Sequence, residues 1–244
     1  MQIFINYHGM SKNSALYLIP TPIGEGRHNE VLPSETLNIL PFMKHFIVEN
    51  LRSARRFLKA AGYPHDFDNV WFYEISEHNQ FDSVSECLKP LADGFLIGLI
   101  SEAGIPCVAD PGFTVVRMAH ERGVRVVPLG GPSSVMKALM ASGLSGQQFT
   151  FHGYLPVKQD QLKSQLKKIE VHANGGYTQI FIETPYRNDR MLETIINVCH
   201  PSTCLCIAAS IDTEKQFIKT MKISDWKKNI PVLKGMPAVF LIGL

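Results

Sequence analysis

The sequence predicts an α/β protein with two αβα lobes, the first built on a mostly parallel sheet and the second on a mixed sheet. Short apolar runs alternate with amphipathic segments along most of the 244 residues, which is the pattern of repeated βα units. This order favours open parallel sheets with helices on both faces. Strands follow one another more closely after residue 200, so we expect the second sheet to be mixed. A Gly-Gly-Pro turn at 130–132 is the predicted boundary, with lobes at 1–130 and 131–244.

In the first lobe, each predicted strand is a short apolar run. The strands are placed at 15–19, 45–49, 70–75, 95–101 and 124–129, and the helices at 51–61, 81–91 and 113–122. A further helix is predicted to begin with Ser34 as its N-cap. Gly62 and Gly123 follow two of the helices, as is typical of the C′ position.

The second lobe repeats this alternation before its late run of strands. The strands are placed at 149–154, 178–183, 203–210, 216–223 and 238–244, and the helices at 133–142, 160–171 and 188–198. Ser133 or Ser134 is the expected cap of the first helix in this lobe. Gly143 is its expected end.

Composition and charge exclude several classes of protein. Hydrophobic residues make up 45% and charged residues 19%, which is ordinary for a globular protein. The longest apolar stretches, such as 95–100 and 238–244, are too short to cross a bilayer, and we recognise no export signal, so we expect a cytoplasmic protein. The five cysteines lack metal-type spacing, so no metal site is expected. A net charge of +2 is weaker than that of most free-standing nucleic-acid-binding domains, so charge alone permits RNA without indicating it.

Three loops rich in glycine and proline follow predicted strands of the first lobe. They lie at 20–24, 101–112 and 130–134. Ligands of open α/β sheets bind beyond the carboxyl ends of the strands, and glycine lets the backbone approach a ligand closely. A single loop of this kind is often only a tight βα turn, but three of them predict a shared ligand site.

The usual nucleotide-binding and hydrolase motifs are missing. The sequence contains no GxGxxG after a strand, no GxxxxGK[ST], no HExxH and no GxSxG. A ligand without phosphate fits such loops, because backbone groups and small residues can do most of the recognition. S-adenosyl-L-methionine is one such ligand.

Five segments make this hypothesis specific. In order they are LYLIPTPIG, GLISEAGIPCVADPGF, VRVVPLGGPSSVMKALMASGL, FTFHGYLPVK and IFIETPYRNDRMLETI. With these segments the chain resembles the ribosomal RNA small-subunit methyltransferase I family of the tetrapyrrole methylase superfamily. The resemblance implies a homodimer of two-lobed chains with S-adenosyl-L-methionine in the cleft between the lobes. It also implies methylation of a cytidine ribose 2′-oxygen in ribosomal RNA.

The resemblance further assigns donor-binding positions by matching the family's pattern. In the three loops these are Pro20, Gly24, Ser101, Glu102, Ala103, Gly104, Ile105, Val108, Gly131, Pro132 and Ser133. In the second lobe they are Ala208, Ala209, Met236, Pro237 and Ala238.

Glu49, Glu102 and Arg52 are the candidate catalytic residues. Methyl transfer from a sulfonium mainly requires alignment and exclusion of water, but a ribose hydroxyl must also lose its proton. Both glutamates are expected to face the cleft from strand ends, although Glu102 fits better as a residue that orients the loop or holds the amino group of the donor. Arg52 either positions a phosphate or is an exposed helix residue. One helix face carries Arg52, Arg55, Arg56 and Lys59, which is either an RNA-binding track or a solvated surface.

Departures from the family pattern keep three hypotheses open. The family's Glu-Asp-Thr-Arg reads Glu49-Asn-Leu-Arg52, and its Ala-Arg-Glu-Leu reads Ala208-Ala-Ser-Ile211, which loses both charges. The first hypothesis is an RNA 2′-O-methyltransferase whose partner is ribosomal RNA or the small ribosomal subunit. The second is a methyltransferase for a small or tetrapyrrole-like acceptor. The third is a non-catalytic module that binds S-adenosyl-L-methionine.

Overall fold

The computed structural model describes residues 14–24, 31–75 and 85–244. The chain divides into two compact units, Met1–Pro132 and Ser133–Leu244. Each unit is an α/β structure with its own five-stranded sheet, and the two sheets confirm the predicted fold class.

The sheet of the first unit is parallel throughout, with the strand order β3-β2-β4-β1-β5. Its strands are β1 (Leu16–Ile19), β2 (His45–Val48), β3 (Trp71–Glu74), β4 (Ile97–Ile100) and β5 (Val126–Pro128). Its helices are α1 (Ser34–Ile39), α2 (Leu51–Ala60) and α3 (Phe113–Glu121), with 3₁₀ turns at Leu40–Phe42, Phe67–Asn69 and Lys89–Leu91. The helix predicted at 81–91 lies partly outside the described residues, and its last three residues form one of these 3₁₀ turns.

Helices cover both faces of this sheet, and neighbouring residues of a strand pack against opposite layers because their side chains alternate. Ile47 packs in a cluster with Val115 of α3, whereas the adjacent Phe46 packs in a second cluster with Phe57 and Leu58 of α2. All four residues of β2 are buried, as expected for a central strand of a parallel sheet. The carboxyl ends of the strands, where the candidate loops begin, therefore rest on a core that is packed from two sides.

The sheet of the second unit is mixed, with the strand order β6-β7-β10-β8-β9. Its strands are β6 (Phe149–Tyr154), β7 (Thr178–Glu183), β8 (Cys204–Ala209), β9 (Phe217–Lys222) and β10 (Ala238–Gly243). Its helices are α4 (Ser134–Ser142), α5 (Gln159–Asn174), α6 (Asn188–Val198) and α7 (Ile223–Trp226). Strands β6 and β7 are parallel, and the other three pairs are antiparallel.

Most predicted element boundaries agree with the structure to within a few residues, and two differences have a clear local cause. Ser133 caps α4 by accepting a hydrogen bond from the Met136 amide at 3.3 Å. Ser34 is not a cap: the N-cap position is Pro33, whose carbonyl accepts from the Thr36 amide, and Ser34 is the first helical residue. The strand predicted to reach Ile223 ends at Lys222, because Ile223 begins α7, a helix that buries its first and last side chains.

Candidate active site

The first two glycine- and proline-rich loops are joined by a short antiparallel bridge. The Thr21 amide donates to the Gly104 carbonyl at 2.9 Å, and the Gly104 amide donates to the Thr21 carbonyl at 3.1 Å. The buried Ser101 hydroxyl donates to the same Gly104 carbonyl at 2.6 Å. The Thr21 hydroxyl donates to the Ser101 carbonyl at 3.3 Å. The loops after β1 and β4 therefore form one hydrogen-bonded unit.

The third loop packs directly on the first two. A Cβ atom added to Gly131 would lie 2.2 Å from Cγ and 2.4 Å from Cβ of Pro20. A Cβ atom added to Gly104 would lie 3.4 Å from the Pro132 carbonyl oxygen, and the φ of Gly104 is +78°, in the left-handed region. The structure thus brings the three loops together, and glycine is required where they meet.

The second loop turns through two left-handed residues that are not glycine. These are Cys107, with φ of 69°, and Ala109, with φ of 57°. Each such conformation costs on the order of 1 kcal/mol or more and clusters at ligand-binding sites. The loop leaves Val108 exposed, and Ile105 is half-buried. Asp110 closes it by accepting the Gly112 amide at 2.6 Å.

Glu49 lies directly after β2, among other carboxyl groups. Its Oε1 accepts the Glu102 amide at 3.4 Å, and its carboxyl group forms a hydrogen bond with the carboxyl group of Asp110. Burial, followed by the hydrogen bond and charge of Asp110, raises the pKa of Glu49 to about 8. Sequence reasoning missed Asp110, and its place in the second loop was the available signal. The structure therefore joins the candidate base to the second loop.

Helix α2 follows Glu49 in the chain and borders a cavity. Arg52 is exposed in the first turn. The cavity has a volume of about 380 Å³ and is lined by Thr21, Pro22, Ile23, Gly24, Ser53, Arg56, Phe57 and Glu102. Arg55 instead places its guanidinium carbon 5.6 Å and 5.3 Å from the ring centroids of Phe67 and Phe72. The predicted basic face is therefore divided between an aromatic contact and the cavity.

The second-unit positions meet at the paired ends of β8 and β10. Ala209 lies opposite Ala238 in the antiparallel register, and the Ser210 amide donates to the Pro237 carbonyl at 2.8 Å. The buried Asn188 donates through Nδ2 to the Met236 carbonyl at 2.5 Å, and its Oδ1 has no hydrogen-bond partner within the described ranges. Asn188 was not anticipated from the sequence. It fixes the turn that precedes β10.

An ion pair holds the loop after β8. Lys137 of α4 donates from Nζ to Asp212 at 2.7 Å to Oδ1 and 2.5 Å to Oδ2. Ser210 and Asp212 both have left-handed backbone conformations, with φ of 49° and 64°. The pair therefore stabilises a strained loop next to the predicted positions in β8. In that segment this chain lacks the two charged residues of the family pattern.

Replacing Lys137 with Met is expected to lower the free energy of unfolding by about 1 kcal/mol, because Asp212 would keep its charge without its partner. Urea unfolding measures this change. Lys228→Met is the matched control, since Lys228 pairs with Asp225 at 3.7 Å and both side chains are more than half exposed. Equal losses in the two variants would contradict a special role for the Lys137 pair.

Metal and membrane features are absent from the part of the chain that the structure describes. Across 14–24, 31–75 and 85–244, no group of three or more His, Cys, Asp or Glu side chains is placed to hold a metal ion. Within the same ranges, no helix has the length and apolar character needed to cross a membrane.

Two solved structures with a similar fold are methyltransferases. The methyltransferase CobJ superposes with a TM-score of 0.62 at 18% identity, covering 96% of this chain and 94% of that chain. The cobalt precorrin-4 methyltransferase CbiF superposes with a TM-score of 0.59 at 14% identity, covering 94% of each chain. At these identities the likeness establishes the fold alone.

Sequence relatives establish the family, although no protein-family model matches the chain. The ribosomal RNA small subunit methyltransferase I of Vibrio cholerae is 30% identical over 227 residues, covering 93% of this chain and 70% of the relative. The protein of the same name from Escherichia coli O157:H7 is 32% identical over 206 residues, covering 84% of this chain and 68% of the relative. By these similarities the chain belongs to the ribosomal RNA small subunit methyltransferase I family.

Proposed function

We propose that this chain transfers the methyl group of S-adenosyl-L-methionine to a ribose 2′-hydroxyl of small-subunit ribosomal RNA. The observation that carries the proposal is the position of Glu49. Its carboxyl group is hydrogen-bonded both to the amide of Glu102 and to the carboxyl group of Asp110 in the second donor loop. A carboxylate at the edge of the donor loops is where an acceptor hydroxyl needs a base. The names of the relatives supply the RNA class.

The charge of the three loops suits a cationic donor. Glu102 and Asp110 are their charged residues, and the segments 20–24, 101–112 and 130–134 contain no Lys or Arg. A sulfonium and an ammonium group are attracted by these carboxylates, whereas a phosphate group would be repelled. The donor is therefore assigned to the loop positions given above, from Pro20 to Ser133. The proposal assigns Ala208, Ala209 and 236–238 to its adenosine.

The reaction requires little covalent chemistry from the protein. The bound donor supplies an electrophilic methyl group on a good leaving group. Glu49 accepts the hydroxyl proton while the new carbon–oxygen bond forms and the carbon–sulfur bond breaks. Glu102 orients the loop through its amide and is placed to attract the amino group of the donor. Arg52, exposed in the first turn of α2, is assigned to an RNA phosphate.

A methyl-transfer assay with intact small ribosomal subunits and with protein-free small-subunit RNA tests the proposal. We expect tritium from labelled S-adenosyl-L-methionine to enter the RNA, and the modified position to resist alkaline cleavage, because a methylated 2′-oxygen cannot attack the neighbouring phosphate. Label on a base, or donor binding by calorimetry without transfer to either RNA, would reject it.

The proposal also covers localisation, oligomeric state and partner. We propose that the active protein is a cytoplasmic homodimer whose partner is the small ribosomal subunit. The chain has a mass of 27.3 kDa, so light scattering separates a monomer from a dimer directly. A monomer that is fully active would remove the dimer from the proposal and leave the chemistry unchanged.

A further inference from the structure

The cavity beside α2 is lined by three residues of that helix and by five residues of the first two donor loops. Of the donor positions in the second loop, only Glu102 lines it, and the first loop contributes Thr21 to Gly24. Its volume of about 380 Å³ is within the range of small-ligand sites. Glu102 also donates its amide to Glu49 at 3.4 Å, which links the cavity to the candidate base.

Arg56 brings an unpaired guanidinium group to this cavity. Its side chain is exposed, and among the residues that the structure describes it has neither an ion-pair nor a hydrogen-bond partner. The adjacent Arg55 is held over the rings of Phe67 and Phe72. Only one of the two neighbouring arginines is thus free to bind a ligand at the cavity.

The two charges of the cavity give it a polarity that matches a nucleotide. Arg56 is the cation and Glu102 is the anion, and Ser53 adds a hydroxyl group. A phosphate pairs with the forked donors of a guanidinium group, while ribose hydroxyls donate to a carboxylate. A nucleotide therefore fits with its phosphate at Arg56 and its sugar toward the end of the cavity that Glu102 lines.

We propose that Arg56 binds a backbone phosphate of the RNA acceptor in this cavity, and so positions the ribose toward Glu49. The inference rests on the proposed function and adds a subsite to it. Arg52 is exposed one turn earlier on the same helix, so it offers a second positive charge to a neighbouring phosphate of the RNA. A polymer of phosphates uses both cations, whereas the single carboxylate of the methyl donor does not.

The test compares Arg56→Gln with Lys59→Gln, because both substitutions remove one positive charge from α2 but Lys59 is exposed outside the cavity. Binding of protein-free small-subunit RNA is measured between 50 and 200 mM salt, and S-adenosyl-L-methionine binding is measured by calorimetry. We expect Arg56→Gln to weaken RNA binding about 3- to 10-fold at low salt and to reduce the slope of log K against log salt by about 0.7. Donor affinity should stay within about twofold, since the donor loops are unchanged.

A kinetic split separates positioning from general attraction. Arg56→Gln should raise KM for RNA more than Lys59→Gln does, and Arg56→Lys should recover only part of the loss, because lysine keeps the charge without the planar fork. Equal losses in the Arg56 and Lys59 variants would overturn the inference in favour of a solvated face. Weaker donor binding with unchanged RNA binding would overturn it by assigning Arg56 to the donor carboxylate. Wild-type protein that binds the donor but no RNA would sink the proposed function itself, a separate failure.

Discussion

Replacing Glu49 with Gln is expected to lower kcat for RNA methylation about 10²- to 10⁴-fold, which is the usual contribution of a positioned general base. Glutamine keeps the shape of the side chain and can still bond to Asp110, but it cannot accept a proton from the ribose hydroxyl. Single-turnover methyl transfer at saturating donor and RNA measures the effect. Donor affinity, measured by calorimetry, should remain close to the wild-type value and shows that the loops are intact.

The pH dependence gives the same residue a second readout. Because the pKa of Glu49 is raised to about 8, wild-type activity should rise tenfold per pH unit below that value and then level off. Asp110→Asn removes the charge that helps to raise this pKa, so its profile should shift to lower pH. An unshifted profile, or a Glu49→Gln enzyme with near wild-type kcat, would show that another group takes the proton.

Stability should follow the same proton with a definite sign. The pKa of Glu49 is raised from 4.5 to about 8, so the folded protein keeps a proton that the unfolded chain has released across this window. This group therefore contributes stability that is fully present below pH 4.5 and is lost as the pH rises through about 8. The stability of Glu49→Gln relative to wild type should accordingly increase across the same window.

Replacing Gly131 with Ala is expected to disrupt the junction of all three loops. The new methyl group would lie 2.2 Å from Cγ of Pro20, so the backbone of the first or third loop has to move. Overpacking of this kind costs about 1–3 kcal/mol, and a displacement of about 1 Å in a site can cost about 100-fold in activity. Urea unfolding and donor calorimetry measure the two effects.

Gly130→Ala provides the neighbouring control. Its new methyl group would lie 3.4 Å from Cγ of Pro33, an ordinary contact, and no positive φ is required there. Its stability should match the wild type or exceed it by up to about 1 kcal/mol, because alanine restricts the unfolded chain. If both alanine variants lose donor binding equally, close packing of Gly131 on Pro20 is not what shapes the site.

Local patterns were sufficient to place most elements because burial in this fold follows short-range periodicity. The run at β2 is apolar on both faces, and the cap at Ser133 needs only a hydroxyl near the first free amides of α4. The same logic was wrong at Ser34. There the N-cap position is Pro33, whose carbonyl accepts the Thr36 amide, and the Thr36 hydroxyl donates to the distant Gly130 carbonyl. Caps near a tertiary contact depend on partners that are distant in sequence.

The candidate site shows the same division. Loop positions could be anticipated because parallel strands end at one edge, and Gly/Pro-rich segments are recognisable there. The bond between Glu49 and Asp110 could not, since it depends on the order in which β2 and β4 lie side by side. Helical spacing likewise assigns Arg55 and Arg56 to one basic face. Their different contacts become visible only in the structure, where Arg55 lies over two phenylalanine rings.

The order of strands in the first sheet also determines when the loops can assemble during synthesis. β1 leaves the ribosome first, yet its neighbours in the sheet are β4 and β5, so it has no partner until most of the unit has been made. The bridge between Thr21 and Gly104, and the contact between Pro20 and Gly131, must form after the chain between them is complete. A nascent chain that stops before β5 therefore has an unpaired edge on its first strand and no complete junction of the three loops. Assembly of this junction is a late folding event that depends on the whole unit.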